Sequence, residues 1–141
     1  MKLWERAKEF WRRVDALLEQ PVFQKDRDIA GQLRRASDSI VSNIEEGFEQ
    51  STDKAFAQYL YVSKASNKEA IGRLMRAREK KYISADELEQ LNDLSDEVAR
   101  LAVGLIKHLL KTNRKNRRVG GTGKPRVPRA EPTVDDPTAA G

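Results

Sequence analysis

Apolar residues recur along the first 110 positions with the spacing of helices. Leu3, Trp4, Ala7, Trp11, Val14, Leu17 and Leu18 share one helical stripe, with Phe10 at its edge. This predicts a first helix over residues 3–20, with both tryptophans packed among leucines as core. Gln20-Pro21 ends it, because the residue before a proline disfavours the α region. Residues 21–27 read as a short connection, with Asp26 or Asp28 placed to cap the next helix. In the second helix Ile29, Leu33, Ala36, Ile40 and Ile44 form an apolar stripe, and Arg35, Ser39, Ser42 and Glu46 form a polar one on another side. Asn43 lies at the edge of the apolar face. Gly47 is expected to close the helix in a left-handed conformation.

Ser51 or Thr52 is placed to cap a third helix over residues 53–81. Phe56, Leu60, Ala70, Ile71 and Leu74 define its buried side, with Tyr59 and Ala77 flanking. Ser63 and Asn67 fall on that same side. A buried asparagine needs partners, supplied either by the polar stripe of the second helix or by a wet seam between subunits. At about 1.5 Å per residue this helix is some 43 Å long, so its far end is expected to project or to meet another subunit. Ser84 and Glu87 have capping-box spacing. Leu88, Leu91, Leu94, Val98, Leu101, Leu105 and Leu109 then define a fourth helix ending near Lys111, or a turn further where the tail begins. Four amphipathic helices with short links predict an all-α, antiparallel up-and-down four-helix bundle over residues 1–111.

Charge separates the rest of the 141 residues from this bundle. Residues 1–110 carry 19 basic and 19 acidic groups, while residues 111–141 carry 8 basic and 3 acidic ones, so the net charge of +5 is 8 − 3. Residues 112–141 are rich in Gly, Pro and charge, and are expected to form a disordered basic tail. Cysteine is absent, and the charged start MKLWERAKEFWRR lacks the apolar run of a signal peptide. No apolar run approaches a membrane span. A cytoplasmic protein without membrane attachment is expected.

Little in the chain points to catalysis. The single histidine, His108, has no ligand partner at metal-binding spacing, and GGTGK lacks the strand and the Lys-Ser/Thr of a phosphate loop. Ser37, Ser39 and Ser42 have no base placed to activate them. The expectation is a protein that is not an enzyme and has no cofactor. Cations are the more informative feature. The third helix and its exit carry Lys64, Lys68, Arg73, Arg76, Arg78, Lys80 and Lys81, and the tail carries Lys111, Arg114, Lys115, Arg117, Arg118, Lys124, Arg126 and Arg129. These are candidate nucleic-acid contacts. The acidic run Asp86, Glu87, Glu89, Asp93, Asp96 and Glu97 at the start of the fourth helix either neutralises the first group or leaves it exposed.

The stretch QLRRASDSIVSNIEEG resembles the signature of the bacterial four-helix bundle proteins first noticed as intervening sequences within 23S rRNA genes. Gln32, Arg34, Arg35, Ala36, Ser39, Ile40, Ser42, Asn43, Ile44, Glu46 and Gly47 fit it. Val41 stands where the family often has proline, Asn67 where leucine is common and Lys81 where glycine is common. The resemblance covers residues 3–110. It implies a homo-oligomer, a ring-like pentamer, and marks Gln32, Arg34, Arg35, Ser39, Ser42, Asn43, Glu46 and Gly47 as motif or interface positions. It also implies RNA or DNA as a partner and, through a related accessory protein of diversity-generating retroelements, a reverse transcriptase or another protein. Two functional classes follow, a nucleic-acid-binding protein and a homo-oligomeric protein scaffold. Arg35, Asn43 and Glu46 are expected to reach a neighbouring helix across the small Ser39 and Ser42.

Overall fold

A computed structural model describes the backbone of residues 1–118 and the side chains of residues 1–111. Among the described residues the chain is all-helical, in the order α1 (Lys2–Leu18), α2 (Pro21–Lys25), α3 (Arg27–Phe48), α4 (Asp53–Glu79) and α5 (Ala85–Arg118). The long helix α3 packs on α1 and α4, and α5 packs on the same two. Their apolar stripes meet in one core around Phe10, Phe23, Phe48, Phe56, Leu33, Ile40, Leu60 and Leu74.

The helix ends follow local chemistry. Of the two candidate caps of α3, Asp26 is the one used, and it accepts from Ile29 N–H at 3.4 Å. Of the two candidates for α4, Thr52 accepts from Ala55 N–H at 3.1 Å. The Ser84–Glu87 capping box closes in both directions. Glu87 N–H donates to Ser84 Oγ at 3.0 Å, and Ser84 N–H donates to Glu87 Oε1 at 2.8 Å.

Three expectations change. The connection after Pro21 contains the short α2, in which proline at the first position pre-sets the helical φ. It drives Phe23 fully into the core, edge-on to Tyr82 at 5.5 Å. Second, Gly47 does not end α3. The helix continues to Phe48, and its cap Glu49 is right-handed at φ −82°. A Cβ on Gly47 would stand 2.6 Å from Phe56 Cδ1, so this position is glycine because α4 passes close by. Third, α5 does not stop near Lys111 but runs to Arg118. No glycine or proline interrupts the sequence between Lys111 and Gly120. At 34 residues α5 is about 51 Å long, so it outreaches the 27-residue α4, at about 40 Å.

The buried polar residues of α4 find partners within the chain. Ser63 Oγ donates to Ile40 O at 2.7 Å, and Ser66 shares a 2.6 Å hydrogen bond with Ser39. Asn67 and Ser95 bond reciprocally. Ser95 Oγ donates to Asn67 Oδ1 at 2.6 Å, and Asn67 Nδ2 donates to Ser95 O at 3.0 Å. The Ser63 and Asn67 break in the apolar stripe is therefore a seam between helices of one chain, and it is no argument for a subunit boundary. Removing one partner strands the other, whereas replacing both by apolar groups does not. Asn67→Ala should lower unfolding free energy by about 1–3 kcal/mol. The double change Asn67→Leu with Ser95→Ala should recover most of it in urea melts.

Candidate functional site

The motif stretch runs along the side of α3 that faces α4. Ser39, Ser42 and Asn43 are half-buried there, and Ser39 meets Ser66 of α4. Asn43 does not reach across to α4. Its Nδ2 donates to Ser39 O at 2.8 Å and to Ser39 Oγ at 2.9 Å, within its own helix. Ser42 likewise donates to Ser39 O. Arg34, Arg35 and Glu46 are exposed. Arg35 folds back along α3, its guanidinium lying over Gly31. The expectation that Arg35, Asn43 and Glu46 brace a neighbouring helix therefore fails within the chain. Short serines let α4 come close, and longer side chains at such an edge turn outward or along their own helix.

This polar side opens at one end into a cleft of about 340 Å³. Asp26, Asp28, Ile29 and Gln32 line it from α3 and its cap, and Gly72, Arg73, Arg76, Glu79 and Lys80 line it from α4 and its cap. Asp26 is the most heavily used group. Tyr82 OH donates to its Oδ2 at 2.8 Å and Lys80 Nζ at 3.0 Å. The Tyr82 hydroxyl first, then the Lys80 ammonium, hold the Asp26 carboxyl below its ordinary 3.8. In return the Asp26 carboxylate raises Lys80 above 10.5 and Tyr82 above 10.0. Sequence pattern alone missed this cluster, because its members come from separate segments of the chain.

Of the seven cations of the α4 region, five divide between two faces. Arg73, Arg76 and Lys80 border the cleft beside α3. Lys64 and Lys68 lie one turn apart on another face, shared at helical spacing with Tyr61 and Met75, which are exposed by 50% and 55%. Arg78 Nη1 donates to Ile83 O at 3.3 Å. Among the described residues no carboxylate of α5 pairs with a cation of α4. Glu87 is taken by its capping box, and Glu97 pairs with Arg6 of α1 at 2.9 Å. The α4 cations in ion pairs are Arg76, with Glu79 at 3.8 Å, and Lys80, with Asp26. Lys111 is exposed, and Arg114, Lys115, Arg117 and Arg118 continue α5. Lys124, Arg126 and Arg129 lie outside the described residues. No described helix is long and apolar enough to cross a membrane, and no group of three metal-ligating side chains occurs among the described residues.

A model of the 23S rRNA-intervening sequence protein family matches residues 1–104. The chain belongs to that family. Its fold is similar to that of a protein of unknown function from the S23 ribosomal protein family of Bacteroides thetaiotaomicron, solved at 1.70 Å. That likeness has a TM-score of 0.69 at 24% identity and covers 74% of this chain and 98% of that one. No curated protein matches the chain. The family match includes the whole motif stretch and the α4 cations, and it stops before Lys111.

Three positions that depart from the family pattern have local explanations. Through Val41, where proline is common, α3 runs unbroken. Asn67 has Ser95 as its partner. Lys81 has φ 65°, the one positive value at a non-glycine residue among those described. The end of α4 requires it. Tyr82 N–H bonds Ala77 O and Lys81 N–H bonds Arg78 O, both at 2.9 Å, the two bonds of a Schellman motif. Lys81→Gly should therefore stabilise the protein, by less than the roughly 1–2 kcal/mol that a side chain costs in that region. Thermal melts of the two proteins check this.

The Asp26 cluster also sets a pH window. A lowered carboxyl contributes stability above its unfolded value of 3.8 and loses it as pH falls through the folded value. The raised Lys80 and Tyr82 contribute below 10.5 and 10.0 and lose that contribution as pH rises through their folded values. The stability gap between wild type and Tyr82→Phe should thus be flat from about pH 5 to pH 9 and shrink on either side. Denaturant melts across that range measure it.

Proposed function

We propose that this is a non-catalytic, homo-oligomeric helical-bundle protein that binds nucleic acid, RNA in the first place, through the cations of α4 and its C-terminal tail. One observation carries the reading. Lys64 and Lys68 stand beside exposed Tyr61 and Met75, and no described carboxylate forms an ion pair with either lysine. Cations attract phosphates, and an exposed aromatic ring gives a base a stacking surface without sequence reading. The tail adds cations beyond the neutral bundle, and four of them, Arg114, Lys115, Arg117 and Arg118, continue α5. Family membership supports the association with rRNA genes.

The bundle itself we read as antiparallel and up-and-down. The pairs Trp4–Glu45 with Trp11–Asp38, and Ile40–Ser63 with Ser39–Ser66, step in opposite directions along their helices. Several copies in a ring, five by family resemblance, would present several tails at once, and linked weak sites gain avidity.

Gel shifts with RNA and DNA across a salt series test the reading. Truncation after Lys111 removes 8 − 1 = 7 cations of the tail, and Lys64→Glu with Lys68→Glu reverses the ridge. Each change should weaken binding and flatten the salt slope, by about 0.7–0.9 for every phosphate that is no longer neutralised. Light scattering on the same samples should give about 80 kDa for five chains of 16.0 kDa. A 16.0 kDa particle at micromolar concentration rules out the ring. Absence of RNA or DNA binding at low salt rules out the nucleic-acid reading in favour of a protein scaffold.

A further inference from the structure

The cleft between the start of α3 and the end of α4 has an uneven state of satisfaction. Its carboxylates on the α3 side are committed. Asp26 receives Ile29 N–H, Lys80 and Tyr82, and Asp28 receives the Gln32 amide at 3.2 Å. Its arginines are not. Arg76 reaches only Glu79, at 3.8 Å and with both side chains exposed. Arg73 pairs with no described carboxylate, and its Nε is shut off from solvent with no hydrogen-bond acceptor. That Nε is as closed to a ligand as it is to water, so what Arg73 brings to the cleft is a guanidinium charge that no described carboxylate neutralises.

Gly72 sharpens the point. It sits inside α4, where glycine is the poorest helix former after proline. A Cβ there would meet nothing within 4 Å, so packing does not require the glycine. Its effect is to leave that wall of the cleft open beside Arg73. A planar guanidinium matches the oxygens of a phosphate, and a second guanidinium, that of Arg76, lies in the same cleft. The volume of about 340 Å³ is at the small end of ligand sites, larger than one phosphate and enough for the group it esterifies.

We propose that this cleft is a binding site for a terminal phosphate monoester of mononucleotide size, with Arg73 as principal donor and Arg76 as the second. The phosphate belongs either to a free nucleotide or to the phosphorylated end of a strand. The site borders the Lys64 and Lys68 ridge at Gly72, one turn from Lys68, but shares no cation with it and stands whether or not that ridge binds nucleic acid.

Calorimetric titration of the full chain with adenosine 5′-monophosphate, adenosine and inorganic phosphate tests it. The monophosphate should bind saturably, inorganic phosphate should compete, and adenosine should not bind. Arg73→Gln should weaken the monophosphate by roughly tenfold or more. Gly72→Leu fills the wall while keeping every cation and should do the same while leaving the thermal melt intact or raised. It carries the test if Arg73→Gln fails to fold. Short oligoribonucleotides with a 5′-phosphate or a 5′-hydroxyl separate the sources. An Arg73-dependent preference for the phosphorylated strand assigns the strand end, and equal binding assigns the free nucleotide. Adenosine binding as well as its monophosphate, or wild-type affinity in both variants, overturns the site. The Lys64→Glu, Lys68→Glu protein should titrate like wild type, so loss of the ridge and loss of the cleft read differently.

Discussion

The close approach of α3 and α4 is the constraint on which the rest of the molecule depends. Their facing sides alternate large and small residues, with Gly47 against Phe56, Ser39 against Ser66 and Ser63 against the backbone of Ile40. Short side chains let two helices come near, and the nearness excludes water. Hydroxyls left in such a seam must bond across it or be stranded. The two requirements reinforce each other. Larger apolar residues would remove the polar bonds and also push the helices apart, which strains an interior packed to crystalline density.

That approach aligns the start of α3 with the end of α4, and the Asp26 cluster forms there. One carboxylate caps α3, holds the Lys80 ammonium and receives the Tyr82 hydroxyl, so a single residue ties the start of α3 to the exit of α4. Tyr82 also packs its ring on Phe23, which anchors α2. The left-handed Lys81 is what carries the chain from α4 into this position, and the surrounding contacts sustain its strain. The first helix is held differently. Trp4 donates to buried Glu45 at 2.9 Å, Trp11 donates to Asp38, and the buried Lys8 places its ammonium 4.8 Å and 6.0 Å from the two rings. A cation so placed is stabilised by ring quadrupoles even though water is largely excluded.

Legibility in the sequence followed the range of the interaction. Helix positions and both directions of the Ser84–Glu87 box depend on residues a few places apart, and spacing alone revealed them. Thr52 and Asp26 each stood as one of two candidates, because capping needs geometry as well as residue type. The five-residue α2 has too few positions to show a period. The commonest role of a glycine near a helix end misleads at Gly47, whose actual reason is Phe56 in another helix. Asn67 is visible as an anomaly, but Ser95 is 28 positions away and carries no mark of the pairing. The site is least legible. The cations are all in view, and their division between a cleft and an open ridge depends on which flank of α4 meets α3.

The same packing determines what the charges can offer. Nineteen cations and nineteen anions balance over residues 1–110, yet balance by count is not balance by place. Glu87 is spent within its own helix end, and Glu97 faces α1. Exposed pairs between α4 and α5 would add little stability, since surface ion pairs are worth about 0–1 kcal/mol. Leaving Lys64 and Lys68 without such pairs therefore costs the fold almost nothing, while it keeps two cations beside an aromatic ring available at the surface. Arg73 is the opposite case. A guanidinium Nε closed off from both water and carboxylates is unfavourable in the fold as it stands. The ridge lysines meet solvent, whereas Arg73 lines a cleft together with Arg76 and has no described carboxylate of its own. By its concave lining the cleft is thus the more specific of the two features, and the ridge the more general.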